Sequence, residues 1–176
     1  MVTGATRKSS LSLHQINHVF DAKPGSGAIG VNAVLHNGKM VLIADALVHE
    51  WPEPDDLADI AERAAGVARK MGLEPRVAFV SFSNFGYPRS ERAEKQSLAT
   101  QVLAGRHVDF EYEGEMTVDV ALNQEVLKKY YPFARLSAPA NILVMPARHS
   151  ASISTKLMQE MAGATVIGPI LTGVDK

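Results

Sequence analysis

Two stretches hold most of the side chains that could do chemistry. Ser81, Ser83, Asn84 and Gly86 follow one apolar run, and Arg89 comes soon after. Hydroxyls, an amide, a glycine N–H and a guanidinium suit a phosphate or acyl-phosphate oxygen. The same residue types also build ordinary turns. Glu113, Glu115 and Asp119 form a carboxylate group further on. Paired carboxylates can move protons or hold a cation, and they also complement a helix N-terminus. Asn141 opens another apolar run, and Lys156 lies about one turn into the helical stretch after it. An ammonium there suits a phosphate, or is simply solvated. Asp45 closes a further run, as a turn-forming carboxylate or as a site residue.

Several chemistries are missing. With no cysteine among 176 residues, disulfides, thiolate metal sites and cysteine nucleophiles are excluded. Among six histidines, His14 and His18 share a helix face but lack a third ligand, so no metal site is expected. There is no Gly-x-Gly-x-x-Gly and no P-loop. Ser81 lacks the flanking glycines of a hydrolase elbow. The net charge of -1 gives no footprint for nucleic acid and no basic patch for a membrane surface. No apolar run approaches a membrane span and no leader pattern opens the chain, so a cytoplasmic protein is expected.

The elements that position these groups follow from periodicity. Val77–Phe82 is an apolar run of β-formers flanked by helical patterns. A strand apolar on both faces belongs inside a parallel sheet, whose ligands bind beyond the carboxyl ends of the strands. Ser12 to Asp21 reads as a helix carrying Leu13, Ile16 and Phe20. Two β-rich runs, 29–35 and 40–44, meet at Asn37-Gly38, the type I′ hairpin signal. Asp55–Met71 steps its apolar residues by three and four, with Pro54 before it and Gly72 after it. Ser90 caps a helix to about Leu103, and Val108, Phe110 and Tyr112 alternate as a strand. A helical segment to Tyr130, a strand 141–145, a helix capped by Ser150 and a strand 165–171 complete the order. The fold expected is α/β: one domain over 1–176 with a three-layer, helix-covered, mixed and mostly parallel sheet and one β-hairpin.

Four blocks resemble the phosphate acetyltransferase family. They are Pro75-Arg-Val-Ala-x-x-Ser-x-Ser83, Glu113-Gly-Glu-Met-x-x-Asp-Val-Ala121, Pro139-Ala-Asn-Ile-Leu-Val-x-Pro146 and Ile167-Gly-Pro-Ile-Leu-x-Gly173. Their order and spacing agree with the family over essentially the whole chain. Ser83-Asn-Phe-Gly86 and His149-Ser-Ala-Ser-Ile-Ser-Thr-Lys156 are closer to one branch, the acetyltransferase-like C-terminal region of bacterial NADP-dependent malic enzymes. The resemblance implies the second subdomain of a bilobal module, cut from a longer chain that holds the malic-enzyme domains. It implies a regulatory role with acetyl-CoA or a related acyl or phosphate effector. No cofactor is implied for this part; NADP and a divalent metal would belong to the other domains. It also implies a two-fold dimer, for which Tyr130-Tyr-Pro-Phe133 is the aromatic candidate. The competing expectation is a subdomain of a catalytic phosphate acetyltransferase, which moves acetyl between CoA and phosphate.

Overall fold

The computed structural model describes residues 27–173. The helix expected over 12–21 lies outside the described residues. Six strands form one sheet in the order β4-β3-β5-β2-β1-β6. They are β1 (Ile29–His36), β2 (Lys39–Ala44), β3 (Arg76–Val80), β4 (Glu111–Met116), β5 (Ile142–Val144) and β6 (Thr165–Thr172). Strands β4, β3, β5 and β2 are mutually parallel, and β1 runs antiparallel to both β2 and β6. The mixed, mostly parallel sheet read from the sequence is the one observed. At the hairpin Asn37 and Gly38 both adopt positive φ, 49° and 74°, and His36 pairs with Lys39.

Helices α1 (Pro54–Lys70) and α2 (Glu91–Arg106) cover one face of the sheet. Leu57, Ile60, Ala61, Ala64 and Ala68 of α1 meet Val77, Phe79, Ile142 and Val144 there. The alanines bring the helix axis close to the strands, which favours dense packing. Pro54 opens α1 and Glu53 with Asp56 forms its capping box. Gly72, at φ +76°, turns the chain out of the helix. The other face carries α3 (Val118–Leu122), α4 (Gln124–Tyr130) and α5 (Arg148–Ala162) over Ala78, Val80, Ile43 and Leu143. Strand alternation divides the central strands between two cores. No helix among the described residues is long and apolar enough to cross a membrane.

Three local expectations are corrected. Strand β4 runs from Glu111 to Met116, so Glu113-Gly114-Glu115 lies inside the strand and is buried, not in a loop after it. Arg135 pairs with Glu113, and Ser83 and Gly86 donate to Glu115 Oε1, which offsets most of the cost of burying these carboxylates. The helical segment before Tyr130 breaks at Asn123, whose Oδ1 accepts the N–H groups of Glu125 and Val126 and caps α4. Helix α5 begins at Arg148, with Ala147 as its N-cap. Ser150 sits within its first turn and donates its hydroxyl to the Ala147 carbonyl at 2.7 Å.

Candidate functional site

The carboxyl ends of β2, β3, β4 and β5 lie along one edge of the sheet. The chain leaves β3 towards β4 and leaves β5 towards β6, in opposite directions from adjacent strands. That divergence makes a crevice at this edge, the usual ligand position in such sheets. Three loops frame it: 45–53, 81–90 and 145–147.

The loop after β3 is bolted to the end of β4. Glu115 is fully buried, and its Oε1 accepts the Ser83 hydroxyl at 2.9 Å and the Gly86 N–H at 2.7 Å. The Ser83 hydroxyl also lies 3.5 Å from that of Ser81. Asn84 Oδ1 accepts the N–H of Thr117 at 2.8 Å and its hydroxyl at 3.2 Å. Backbone bonds from Ser81 N–H to Met116 O and from Phe85 N–H to Glu115 O complete the join. Gly114 makes this approach possible, because a Cβ there would stand 2.8 Å from the Phe79 carbonyl oxygen, at φ +151°. The result is a rigid shelf. Glu115 Oε2 is buried without a hydrogen-bond partner.

The carboxylates therefore do not act as a cluster. Glu113 turns to Arg135, accepting from its Nε and Nη2 at 3.2 Å each and from its backbone N–H at 2.9 Å. Glu115 serves the serine loop. Asp119 is exposed in the first turn of the short helix α3. Among the described residues, no group of three or more His, Cys, Asp or Glu side chains could hold a metal ion.

The structure thus brings Ser81, Ser83, Asn84 and Glu115 together. Arg89 belongs to the same loop, and its side chain is exposed with no ion pair among the described residues. Asn141 does not join them. It lies at the amino end of β5, where Oδ1 accepts the Arg76 N–H at 2.8 Å and Nδ2 donates to Glu74 O at 2.7 Å. Its amide splices β5 to β3 at the opposite edge. Lys156 is also displaced. It is the ninth residue of α5, roughly 12 Å along the axis from the helix start at 1.5 Å per residue. It projects into solvent.

Asp45 is the most heavily bonded side chain at this edge. It is 2% exposed. Oδ1 accepts from the N–H groups of Gly30, Leu47 and Val48, and Oδ2 from those of Val48 and His49. The His49 ring stands against Oδ2 through Nδ1 at 2.7 Å. This is the turn-forming alternative, extended into a fold-wide anchor for loop 45–49. Burial pushes the Asp45 carboxyl up, but the His49 ring and the backbone N–H groups outweigh it and hold it below the ordinary value. Asp45 in turn raises His49, against the opposing effect of burial. Apart from its four-residue spacing from Asp45, nothing in the sequence singled out His49 among the six histidines.

The phosphate acetyl/butaryl transferase family matches the sequence over residues 1–176. An NADP-dependent malic enzyme of Rhizobium meliloti (strain 1021) is 54% identical across the whole chain, which spans 23% of that protein. A phosphate acetyltransferase of Clostridium acetobutylicum is 37% identical over 138 residues, 78% of this chain and 41% of that protein. A phosphotransacetylase structure from Streptococcus pyogenes superposes with a TM-score of 0.92 at 28% identity, covering 100% of this chain and 54% of that one. The chain thus spans about a quarter of the malic enzyme and about half of the phosphotransacetylase. The shelf of Ser83, Glu115 and Gly86, the Asp45 anchor and the sheet order all lie within this shared span, and the chain belongs to the phosphate acetyl/butaryl transferase family.

Proposed function

We propose that this chain is a regulatory, self-associating ligand-binding module of an NADP-dependent malic enzyme, responding to acetyl-CoA or a related acyl or phosphate effector. The supporting observation is the state of the carboxyl-edge polar groups. Ser83, Asn84, Asp45 and Glu115 Oε1 are held by partners within the fold. Such groups shape and stiffen a binding surface. General acid–base work needs a group poised to exchange a proton with substrate, and the one unpartnered carboxylate oxygen of the shelf, Glu115 Oε2, is buried away from its surface. Arg89 is the exposed cation of the shelf loop, suited to a phosphate or thioester-bearing ligand. Whole-chain identity of 54% to a malic enzyme favours this parent over a free-standing acetyltransferase.

The second reading is a subdomain of a catalytic phosphate acetyltransferase, favoured by the 37% identity to such an enzyme. Two measurements on the full-length parent test the readings, the first for binding and the second to separate them. A thermal-shift screen against CoA, acetyl-CoA, acetyl phosphate and phosphate should show stabilisation by one of them. CoA-dependent consumption of acetyl phosphate should be absent. Turnover in the usual enzyme range of about 1–1000 per second supports the second reading and rejects the first.

A further inference from the structure

A pocket opens at the same edge on the α1–α2 face, walled in part by the 45–53 and 145–147 loops. It has a volume of about 340 Å³, and its lining includes Trp51, Pro52, Arg92, Lys95, Gln96 and Pro146. Arg92, Lys95 and Gln96 come from the first two turns of α2. Gln96 is wholly buried, yet neither its Oε1 nor its Nε2 has a hydrogen-bond partner. A buried amide with both groups unpaired is costly to the fold, and such exceptions call for a cause. The pocket wall supplies a second observation. The Arg92 guanidinium lies 4.1 Å from the centroid of the Trp51 ring, and Trp51 is 58% exposed. Lys95 is paired with Glu53 at 2.7 Å, whereas Arg92 has no carboxylate partner among the described residues.

A ligand that fits must offer a donor beside an acceptor to the amide, a flat face to the indole and an anion to Arg92. A glutamine amide meets an adenine through two parallel hydrogen bonds, and bases stack on aromatic rings. The volume is at the small end of ligand pockets and suits one base with its sugar and phosphate. We infer that the Trp51–Gln96 pocket binds an adenine mononucleotide, with Gln96 reading the base, Trp51 stacking on it and Arg92 meeting the phosphate. Trp51 and Gln96 are not among the groups assigned to the acyl effector, although Arg89 precedes Arg92 by only three residues.

Trp51 is the sole tryptophan of the chain, so its fluorescence reports the site directly. The full chain is titrated with AMP, with GMP as the base control and acetyl phosphate, which carries no base, as the control for the shelf. The expected result is saturable quenching by AMP, with GMP at least tenfold weaker. Gln96→Met keeps the length of the side chain and removes the amide. It should lower AMP affinity about ten- to a hundredfold while leaving the thermal midpoint unchanged or higher. Trp51→Ala alters an exposed side chain and keeps the test open should the Gln96 variant not fold. Calorimetry should then give at least a fivefold loss of AMP affinity. Absence of saturation by AMP into the millimolar range overturns the inference. So does equal binding of GMP, or unchanged AMP affinity in Gln96→Met. A response to acetyl phosphate without one to AMP also overturns it, and leaves the effector reading standing.

Discussion

Replacing Asp45 by Asn tests whether one carboxylate anchors the loop after β2. The change keeps shape and size but puts an NH2 where an oxygen accepts. If the NH2 replaces Oδ2, it faces the His49 N–H, which sits 2.7 Å from that oxygen in the native fold. If it replaces Oδ1, it faces the N–H groups of Gly30 and Leu47, at 2.9 and 2.8 Å. Either way at least one buried donor loses its acceptor, at about 1–3 kcal/mol. The remaining bonds lose their charge assistance, each weakening by about 0.5–1 kcal/mol. The sum is about 3–5 kcal/mol, a large fraction of the stability of an ordinary domain. For a chain of this length that corresponds to a fall in Tm of about 6–20 °C. Urea denaturation at pH 7 measures it, with an unchanged slope confirming that the folded and unfolded states are otherwise alike. A loss below about 1 kcal/mol would refute the reasoning, because it would mean that backbone contacts alone hold the loop.

Two further outcomes follow from the same geometry. His49 is raised above its ordinary 6.5 by Asp45, so its contribution is complete below that value and is lost as pH rises through the raised one. Native stability should therefore decline from about pH 6.5 upward, and His49→Gln should flatten that slope; equal slopes in urea titrations would reject the pairing. Asp45 is depressed below 3.8, so its contribution is present above that value and disappears as pH falls through the lowered one. The proposed self-association rests on the aromatic segment after α4. The Phe85 ring meets Tyr131 at a tilt and Phe133 edge-on, with centroids at 4.8 and 4.9 Å, while Tyr130 stays 61% and Phe133 65% exposed. Light scattering should give a dimer at tens of micromolar, and changing Tyr130 and Tyr131 to Ser should weaken it. A monomeric chain rejects the assembly, and an unaffected dimer rejects these residues as its centre.

The elements legible in the sequence are those whose signals are local. Asn37-Gly38 fixes a turn by its own backbone freedom, and Pro54 and Gly72 bracket α1 within its own span. Apolar runs at Val77 and Ile142 revealed buried strands before any partner was known. The misread positions depend on distant partners. Glu113 reads as a loop carboxylate until Arg135, 22 residues on, is placed against it. Glu115 enters the core because Ser83 and Gly86, 32 and 29 residues back, donate to it. Asn141 looks like a ligand group at a strand start, yet the amino edge and the exposed backbone of Glu74 and Arg76 claim its amide. Ser90 caps α2 as its sequence suggests, whereas Ser150 falls inside the first turn because the helix already starts at Arg148. Gln96 gave no signal, since a polar residue in an amphipathic helix reads as solvated until the helix is packed.

The most direct test of the effector reading is malate-dependent NADP reduction by the full-length parent, titrated with acetyl-CoA in the native protein and in Arg89→Ala. The account predicts a saturable acetyl-CoA effect on the native rate. In the variant, its midpoint should move about ten- to a hundredfold higher while the rate without effector stays unchanged. A parent indifferent to acetyl-CoA, or an Arg89→Ala protein with the native midpoint and intact folding, would contradict it.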